Sequence, residues 1–376
     1  MNTKIMDVGV IRKLDPLKKG SLDTLAQLGT SCVSHAKKDD KLSMIPCTHE
    51  DDKSTLKKRA YRKLISSYLS LRLVDASRIN PKSSLQKAYY NTYHCCSTIA
   101  IHASGKVIGS YCKNRWCLVC NSIRTAVLIN NYMPIIEDWN DKHFVTLTLK
   151  NCKGDVLRPT IDGMQKVFVK VKATIRKRYQ RGKGDAFIGL RKLECTYNPV
   201  SDEYHPHFHF IINGSDNASE LYYRWIDLVP GVNPDAQDIR EADDNSVREL
   251  FKYFTKLVSK VKDNDGQVID KKVYADAMDV IFNSIKGLRT FQYFGFKMKK
   301  VADSEDFEGL KNSSDPVISY AKWFRDMSDW MEDNGDLLSG YIPSDDTLKL
   351  VKKDLIVRSN YHTKQTLLFK DNDRPI

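Results

Sequence analysis

The chain has 376 residues, 41% of them hydrophobic, which is enough to form the cores of two or three domains. Lysine and arginine outnumber aspartate and glutamate by 60 to 47, and the net charge of +13 favours a polyanionic partner such as nucleic acid. No stretch approaches the roughly 20 apolar residues of a membrane span, and residues 1–20 lack the apolar core of a signal peptide. These features predict a cytoplasmic protein with no membrane partner.

The N-terminal part, residues 1–82, is polar and charged up to an amphipathic stretch at 56–79. We predict that it is an extension with one helix over that stretch. The next segment, 83–125, contains five of the nine cysteines. Because thiols stay reduced in the cytoplasm, such a concentration of cysteines favours a metal site over disulfides.

Within that segment, Cys117 and Cys120 have the Cys-x2-Cys spacing of a zinc half-site, and Cys112 precedes them. The fourth ligand comes from upstream, and the spacing allows either Cys96, which we select, or Cys95, with His94 and His102 as further candidates. The segment is therefore predicted to be a small module that holds a structural Zn²⁺. The alternative is a set of free thiols without metal.

From residue 126 to 300, helix and strand patterns alternate, and two strands adjoin through a short loop. This order predicts an α+β domain with an antiparallel sheet and packed helices. The remaining chain, 301–376, is predicted to be a helical extension. The predicted helices cover 122–139, 165–183, 218–229, 245–261, 271–286 and 320–333, and the predicted strands cover 143–150, 187–198, 205–212, 236–242 and 288–298.

The predicted helix at 165–183 carries eight lysines and arginines and no acid. Its apolar residues recur at helical spacing, so one stripe is buried and the other face is basic. A solvated surface is the ordinary explanation of a basic face, but the lack of interrupting acids favours contact with DNA phosphates. The residues selected for DNA binding are Lys166, Lys170, Arg176, Lys177 and Arg181.

The stretch "HPHFHFII" at 205–212 places three histidines at alternate positions of a strand. Since side chains alternate between the faces of a strand, the histidines share one face, while the intervening phenylalanines point into the core. Imidazoles are poor core material without a partner. Two imidazoles one residue apart, here His207 and His209, can bind the same metal ion.

The preceding strand supplies a carboxylate. If Asn198 pairs with His205, Glu194 lies opposite His209 and shares the histidine face. Two imidazoles and a carboxylate suit Mg²⁺ or Mn²⁺ and leave coordination positions for a phosphate, although Zn²⁺ accepts the same ligands. A slip of one residue in the pairing would move Glu194 to the other face.

In the predicted helix at 245–261, Glu249 and Tyr253 are four residues apart and Lys256 follows three later, so the three share one face. Alone, this pattern is typical of a core tyrosine beside surface charges. Beside a metal site, a tyrosine can attack a polarised phosphate, a lysine can add positive charge, and a glutamate can activate water.

The ordered set of "FVTLTLK", "HPHFHFII" and "ELFKYFTK" resembles the rolling-circle replication initiators of small bacterial plasmids, within the HUH endonuclease superfamily. The segments "LECTYN" and "LRTFQYFGFK" look like the flanking segments of that family. The cysteine-rich run "CKNRWCLVC" also resembles part of these initiators. The resemblance extends from about Cys96 to Lys297, roughly half of the chain.

The resemblance implies that His207 and His209 bind the metal with Glu194 as third ligand, that Tyr253 is the nicking nucleophile, and that Glu249 activates water at termination. His205 also matches a position of the family. The implied fold is the HUH fold, a five-stranded antiparallel sheet with flanking helices. No second tyrosine occupies the helical position that two-tyrosine relatives use, which implies a one-tyrosine enzyme.

The implied substrate is single-stranded DNA, exposed in a hairpin at the plasmid origin. Nicking would leave a 3′-OH for a host DNA polymerase and a 5′-phosphate on the tyrosine, with a host helicase as further partner. The sequence leaves a homodimer open. Two other enzymes of similar chemistry, a relaxase and a single-tyrosine transposase, remain alternatives, as does a zinc-containing DNA-binding repressor without catalytic activity.

Overall fold

The computed structural model describes residues 53–251, 259–262, 268–272, 274–298 and 315–351. In this part of the chain, antiparallel sheets combine with α-helices, so the predicted α+β class is confirmed. The helices are α1 Lys53–Ile79, α2 Gln86–Tyr93, α3 Leu118–Glu137, α4 Leu157–Gln180, α5 Ser215–Leu228, α6 Asp244–Phe251 and α7 Ala275–Ser284.

The strands are listed in chain order. They are β1 Thr98–His102, β2 Val107–Gly109, β3 Lys142–Thr148, β4 Ile188–Asn198, β5 Glu203–Asn213, β6 Asp238–Glu241, β7 Ser259–Lys262, β8 Val268–Lys272, β9 Phe291–Phe294, β10 Val317–Phe324 and β11 Asp329–Glu332. The helices described here include none that is both long enough and apolar enough to cross a membrane.

The central sheet has five antiparallel strands in the order β6-β3-β5-β4-β9, which places the histidine strand β5 in the middle. Its back face carries Phe208 and Phe210, which are fully buried among the apolar residues of α4, α5 and α7. Replacing either ring by alanine would cost about 3–5 kcal/mol, as is usual for core phenylalanines. The back face is therefore the main core of the protein.

The opposite face, called the front face, carries His205, His207 and His209 and continues to Ile211. At the Ile211 end, α3 and α6 cover the sheet with a second apolar cluster that includes Phe251. The histidine side chains, in contrast, stay partly accessible or lie just below the surface. The helices on the front face thus leave an opening beside the histidines.

A second sheet, in the order β11-β10-β1-β2, joins two segments that are far apart in the chain. Strand β10 pairs with β1, with Ala321 opposite Ile99, and turns at Ser328 (φ 54°) into β11. The predicted helix at 320–333 is therefore wrong, because residues 320–324 and 329–332 pair with neighbouring strands, and those of β10 alternate between more and less exposed positions. The cysteine-rich segment and part of the C-terminal extension share one sheet.

Two other predicted helices need correction. The helix predicted over 245–261 corresponds only in part to α6, Asp244–Phe251, because residues 259–262 form strand β7 instead. Strand β7 pairs with β8, which takes up the first residues of the helix predicted over 271–286. In these segments, cross-strand pairing decides for a hairpin. Tyr253 and Lys256 lie outside the described residues.

Candidate functional site

The hairpin of β4 and β5 decides which side chains face the histidines. Glu194 lies opposite His207, and Asn198 pairs with Glu203. The predicted register, with Asn198 opposite His205, is wrong by two residues because the turn is tighter than expected, with the Asn198 side chain accepting a hydrogen bond from Val200 N at 3.0 Å. A shift of two residues preserves the alternation of faces, so Glu194 still lies on the front face.

Three side chains come together there as a candidate metal site. Glu194 Oε2 lies 3.5 Å from His207 Nε2 and 3.7 Å from His209 Nε2. The ligand atoms of the three residues are all within 4.8 Å of one another. One carboxylate and two imidazoles on a partly exposed face fit a divalent cation that keeps open coordination positions. The donor set accepts Mg²⁺, Mn²⁺ or Zn²⁺ alike.

Hydrogen bonds on the far side of each ring orient the two imidazoles. His207 Nδ1 lies 3.0 Å from the carbonyl oxygen of His205, and since a carbonyl only accepts, Nδ1 carries the proton. His209 Nδ1 lies 3.1 Å from Thr146 Oγ1. A proton on Nδ1 leaves the lone pair of Nε2 free on the side of Glu194, as metal-ligating histidines require.

The third histidine of the motif is not part of this cluster. His205 Nδ1 lies 2.8 Å from Asn151 Oδ1, and burial followed by the neighbouring His207 lowers the pKa of His205. A depressed pKa favours the neutral ring, which can accept or donate one hydrogen bond. The structure therefore separates His205, on the rim, from the two clustered imidazoles.

A buried lysine completes the cluster, and sequence reasoning missed it. Lys192 lies opposite His209 on the front face, is 5% exposed, and pairs with Glu194 Oε1. Its Nζ also donates to the carbonyl oxygen of Glu249, 3.4 Å away in α6. The available signal was the spacing of Lys192 and Glu194, two residues apart on one strand, because a lysine on a covered face needs an acidic partner.

The charge state of Glu194 follows from these neighbours. Burial alone would raise its pKa, but the Lys192 ammonium and the imidazoles of His207 and His209 hold the pKa well below its usual range. Glu194 is therefore an ionised acceptor with one oxygen on the lysine and the other toward the two histidines. That arrangement presents a carboxylate oxygen and two ring nitrogens to the same point.

The cysteines form a second cluster. Cys95 Sγ lies 3.6 Å from both Cys117 Sγ and Cys120 Sγ, and Cys112 Sγ lies 3.7 Å from Cys120 Sγ. A tetrahedral zinc with bonds of about 2.3 Å spaces its sulfurs about 3.8 Å apart, so the four thiols fit Zn²⁺. Burial raises the pKa of the Cys117 thiol, and a bound cation would reverse that effect.

The structure selects Cys95, rather than the predicted Cys96, as the fourth member. Cys96, whose backbone has φ 55°, contacts the cluster at one point, with its Sγ 4.0 Å from Cys95 Sγ, and is not among the four residues whose sulfurs come together. Its sulfur packs against β2 so closely that a Cβ added at Gly109 would lie 2.8 Å from it.

Comparisons with known proteins agree with this arrangement. A family model described as "Replication protein" (Rep_1) matches residues 107–322, more than half of the chain. The chain belongs to the Rep_1 family of replication proteins. The matched range runs from β2 into β10 and includes the histidine motif and three of the four clustered cysteines. The predicted resemblance to plasmid rolling-circle replication initiators is thereby confirmed.

Individual relatives of this replication protein are each named "Protein rep". One from Staphylococcus aureus is 34% identical over 175 residues, which cover 40% of this chain and 73% of the relative. One from Bacillus amyloliquefaciens is 29% identical over 263 residues, covering 58% of this chain and 74% of the relative. One from a Bacillus species is 28% identical over 242 residues, covering 54% and 75%. No solved structure gives a significant match.

Helix α6, which precedes the predicted nucleophile in the sequence, packs on the front face of this replication protein. The Phe251 ring is fully buried against Tyr132 of α3 and Phe291 of β9, and Thr125 Oγ1 donates to the Phe251 carbonyl oxygen at 3.2 Å. Tyr253 follows Phe251 by two residues in the sequence and lies outside the described residues. The side chain of Glu249 is exposed on α6.

The predicted DNA-binding residues of this replication protein lie on the other side of the sheet. They belong to α4, whose apolar stripe, including Phe168, Val171 and Ile175, packs against the back face. The helix begins at Leu157, eight residues before the predicted start. The structure therefore brings Glu194, His207 and His209 together and keeps the basic helix apart from them. The exposed residues are Lys166, Lys170, Arg176, Lys177 and Arg181.

Proposed function

We propose that this plasmid replication initiator nicks and rejoins single-stranded origin DNA through Tyr253, and that Glu194, His207 and His209 hold the Mg²⁺ or Mn²⁺ required. The observation that carries the proposal is the Glu-His-His cluster beside α6 in a chain of the replication protein family. Initiators of this kind are generally nicking endonucleases and bind origin DNA. The same arrangement of sheet, ligands and helix supports assignment to the HUH fold.

The reaction is a transfer of the phosphoryl group from DNA to protein. The phenolic oxygen of Tyr253 attacks the scissile phosphorus, the bond from phosphorus to the 3′ oxygen breaks, and the proton of tyrosine ends on the released 3′-OH. The 5′-phosphate stays linked to Tyr253, so rejoining is the reverse attack by a 3′-OH and needs no ATP. A divalent ion at the cluster would offset charge on the phosphate oxygens.

Lys192 is a positioning residue in this proposal. Its ammonium holds Glu194 Oε1, so that Oε2 faces His207 Nε2 and His209 Nε2, and the same ammonium contacts the backbone of α6 at Glu249. One buried side chain therefore links the ligand set to the helix that precedes Tyr253. Partners behind the metal ligands typically govern metal affinity in this way.

Glu249 is proposed to activate water for the hydrolysis that ends the cycle, because its carboxylate is exposed near the front face. We expect Glu249→Ala to nick DNA at the wild-type rate but to accumulate the covalent complex. Normal release from the covalent complex in this variant would remove Glu249 from the mechanism. The role of Lys256, as a positive charge beside the phosphate, stays a prediction from the sequence.

The deciding experiment uses single-stranded origin DNA labelled at its 3′ end, Mn²⁺, and either the wild-type protein or Tyr253→Phe. We expect the wild type to form a covalent adduct that carries the 3′ label, since Tyr253 retains the 5′-phosphate of that fragment. The variant should bind the DNA and form no adduct. An adduct of undiminished yield in the variant would exclude Tyr253 as the nucleophile.

The other predicted partners follow from the same chemistry. The 3′-OH released by nicking is a primer end for a host DNA polymerase, and unwinding from the nick requires a helicase. The four clustered cysteines are proposed to hold a structural Zn²⁺ that joins the loop after α2 to the start of α3. Binding to duplex DNA that survives both chelation and Tyr253→Phe, without any cleavage, would favour a repressor instead.

A further inference from the structure

We propose that the exposed face of α4 is a second DNA-binding surface, which binds duplex DNA on the side of the molecule opposite the histidines. This basic face of α4 is defined by the exposed residues Lys166, Lys170, Lys172, Arg176, Lys177, Arg181 and Lys183. The proposal concerns binding alone and does not depend on the nicking reaction.

The location of the basic face separates it from the metal cluster. The buried stripe of α4 packs on Phe208 and Phe210, which point away from His207 and His209 on the same strand. The thickness of a helix, about 10 Å, and that of the sheet therefore lie between the two regions. A single strand held at the histidines could reach α4 only by passing around an edge of the sheet.

The charges on this face are not balanced by neighbouring acids. In the part of the chain that the structure describes, the ion pairs of α4 and its ends are Arg158 with Asp162 and Arg178 with Glu220, outside the basic face. Lys166 and Lys170 repeat one helical turn apart, and like charges at this spacing destabilise a helix. A solvated surface usually intersperses both signs of charge, so an unrelieved run of cations points to a polyanion that neutralises it.

The shape of the face favours duplex over single-stranded DNA. Lys166, Lys170 and Lys177 occupy one stripe of the helix, and Arg181 follows directly after its last residue. From 166 to 181 the chain rises by about 22 Å at 1.5 Å per residue. Over that length, one strand of a duplex presents about six or seven phosphates in a regular row. Proteins that bind single strands add stacking aromatic rings, whereas Tyr179 is the one exposed ring on the described α4.

The test compares Lys170→Gln/Lys177→Gln with Lys82→Gln/Lys87→Gln, which removes the same charge from exposed lysines outside α4. The probes are a blunt duplex of about 20 base pairs and random sequence, and oligo(dT) of about the same length. Affinity is measured over a series of salt concentrations, and thermal unfolding confirms that both variants are folded. Adduct formation on the single-stranded origin substrate is measured in parallel.

For the α4 variant we expect duplex affinity to fall on the order of tenfold at low salt, and the slope of log affinity against log salt to decrease by about 2. Binding to oligo(dT) and adduct formation should match the wild type. Equal losses in the control variant, or unchanged duplex binding in the α4 variant, would overturn the proposal. Equal losses for both probes would assign the face to single-stranded DNA and also overturn it.

Discussion

The two candidate metal sites, the cysteine cluster and the Glu194-His207-His209 cluster, differ in how completely they could enclose a metal ion. The cysteine cluster has four ligands, of which Cys95, Cys117 and Cys120 are buried. The front-face cluster has three ligands, and Glu194 and His209 remain partly exposed. Four protein ligands leave no place for a substrate, whereas three leave room for a phosphate. The contrast supports the proposed division into one centre with a structural role and another that reacts with DNA.

The largest effect is expected from a change in the cysteine cluster, where four side chains could enclose a metal ion completely. Cys117→Ser should abolish zinc binding and prevent stable folding, because structural zinc supplies apparent free energies of about 10–16 kcal/mol in small zinc domains. Zinc content and circular dichroism of the purified variant measure this. Should the variant not be recoverable, a chelator added to the wild type should lower the Tm. A fully folded, zinc-free variant would contradict a structural role.

A change in the front-face cluster of Glu194, His207 and His209 is expected to have a smaller effect on folding and a large effect on activity. His207→Ala should reduce nicking on the order of 10³-fold, which corresponds to about 4 kcal/mol of lost stabilisation of the transition state. The variant should still fold with a modest loss of Tm, since His207 is buried but lies on the front face, away from Phe208 and Phe210 of the main core. His143→Ala, on the neighbouring strand and outside the cluster, is the matched control. If His207→Ala were less stable than the wild type but still bound Mn²⁺, the histidine cluster would have a structural role instead of a role in nicking.

An intermediate effect is expected from a change of Lys192, the buried lysine that contacts Glu194 of the front-face cluster. Lys192→Met should weaken Mn²⁺ binding by about 10- to 100-fold, because Glu194 loses the partner that orients it. Lys192→Arg keeps the positive charge and should recover part of the affinity. Calorimetric titration with Mn²⁺ separates the two variants. Equal affinity in Lys192→Met and the wild type would show that Lys192 only stabilises the fold.

The smallest effect is expected from a change of Cys96, which packs beside the cysteine cluster without belonging to it. Cys96→Ser should keep full zinc content, since its sulfur faces Gly109. Its free energy of unfolding should change by about 1 kcal/mol or less, as for most conservative substitutions. Cys95→Ser, one residue earlier, should lose zinc as Cys117→Ser does. Zinc loss in Cys96→Ser and retention in Cys95→Ser would restore the ligand set predicted from the sequence.

The face of a strand on which each side chain lies was predicted correctly from the alternation of residue types. The alternation of His207, Phe208 and His209 determines that histidines and core rings lie on opposite faces wherever the strand is placed. Glu194 reaches the histidine face for the same reason, and it does so although the predicted register was wrong by two residues. Local periodicity survives such errors because an even shift leaves the faces unchanged.

Features that depend on distant partners were predicted poorly. The aromatic residues at 320–333 also suit a helix, and only pairing with β1, more than 200 residues earlier, makes them a hairpin. The helix over 245–261 was extended too far because the pairing of β7 with β8 was not visible. Cross-strand partners decide strand structure more than the propensities of single residues do.

The order of residue types was enough to predict the composition of the candidate site: two histidines on one face, a carboxylate on the neighbouring strand, and a basic stripe on a helix. Three features emerged only from the folded chain: Cys95 joins the cysteine cluster, Lys192 links Glu194 to α6, and the basic helix lies behind the sheet. Residue types and the short-range repeat of apolar residues can be read directly from the sequence. The side of a sheet on which a helix packs, in contrast, depends on how the whole chain buries its apolar surface.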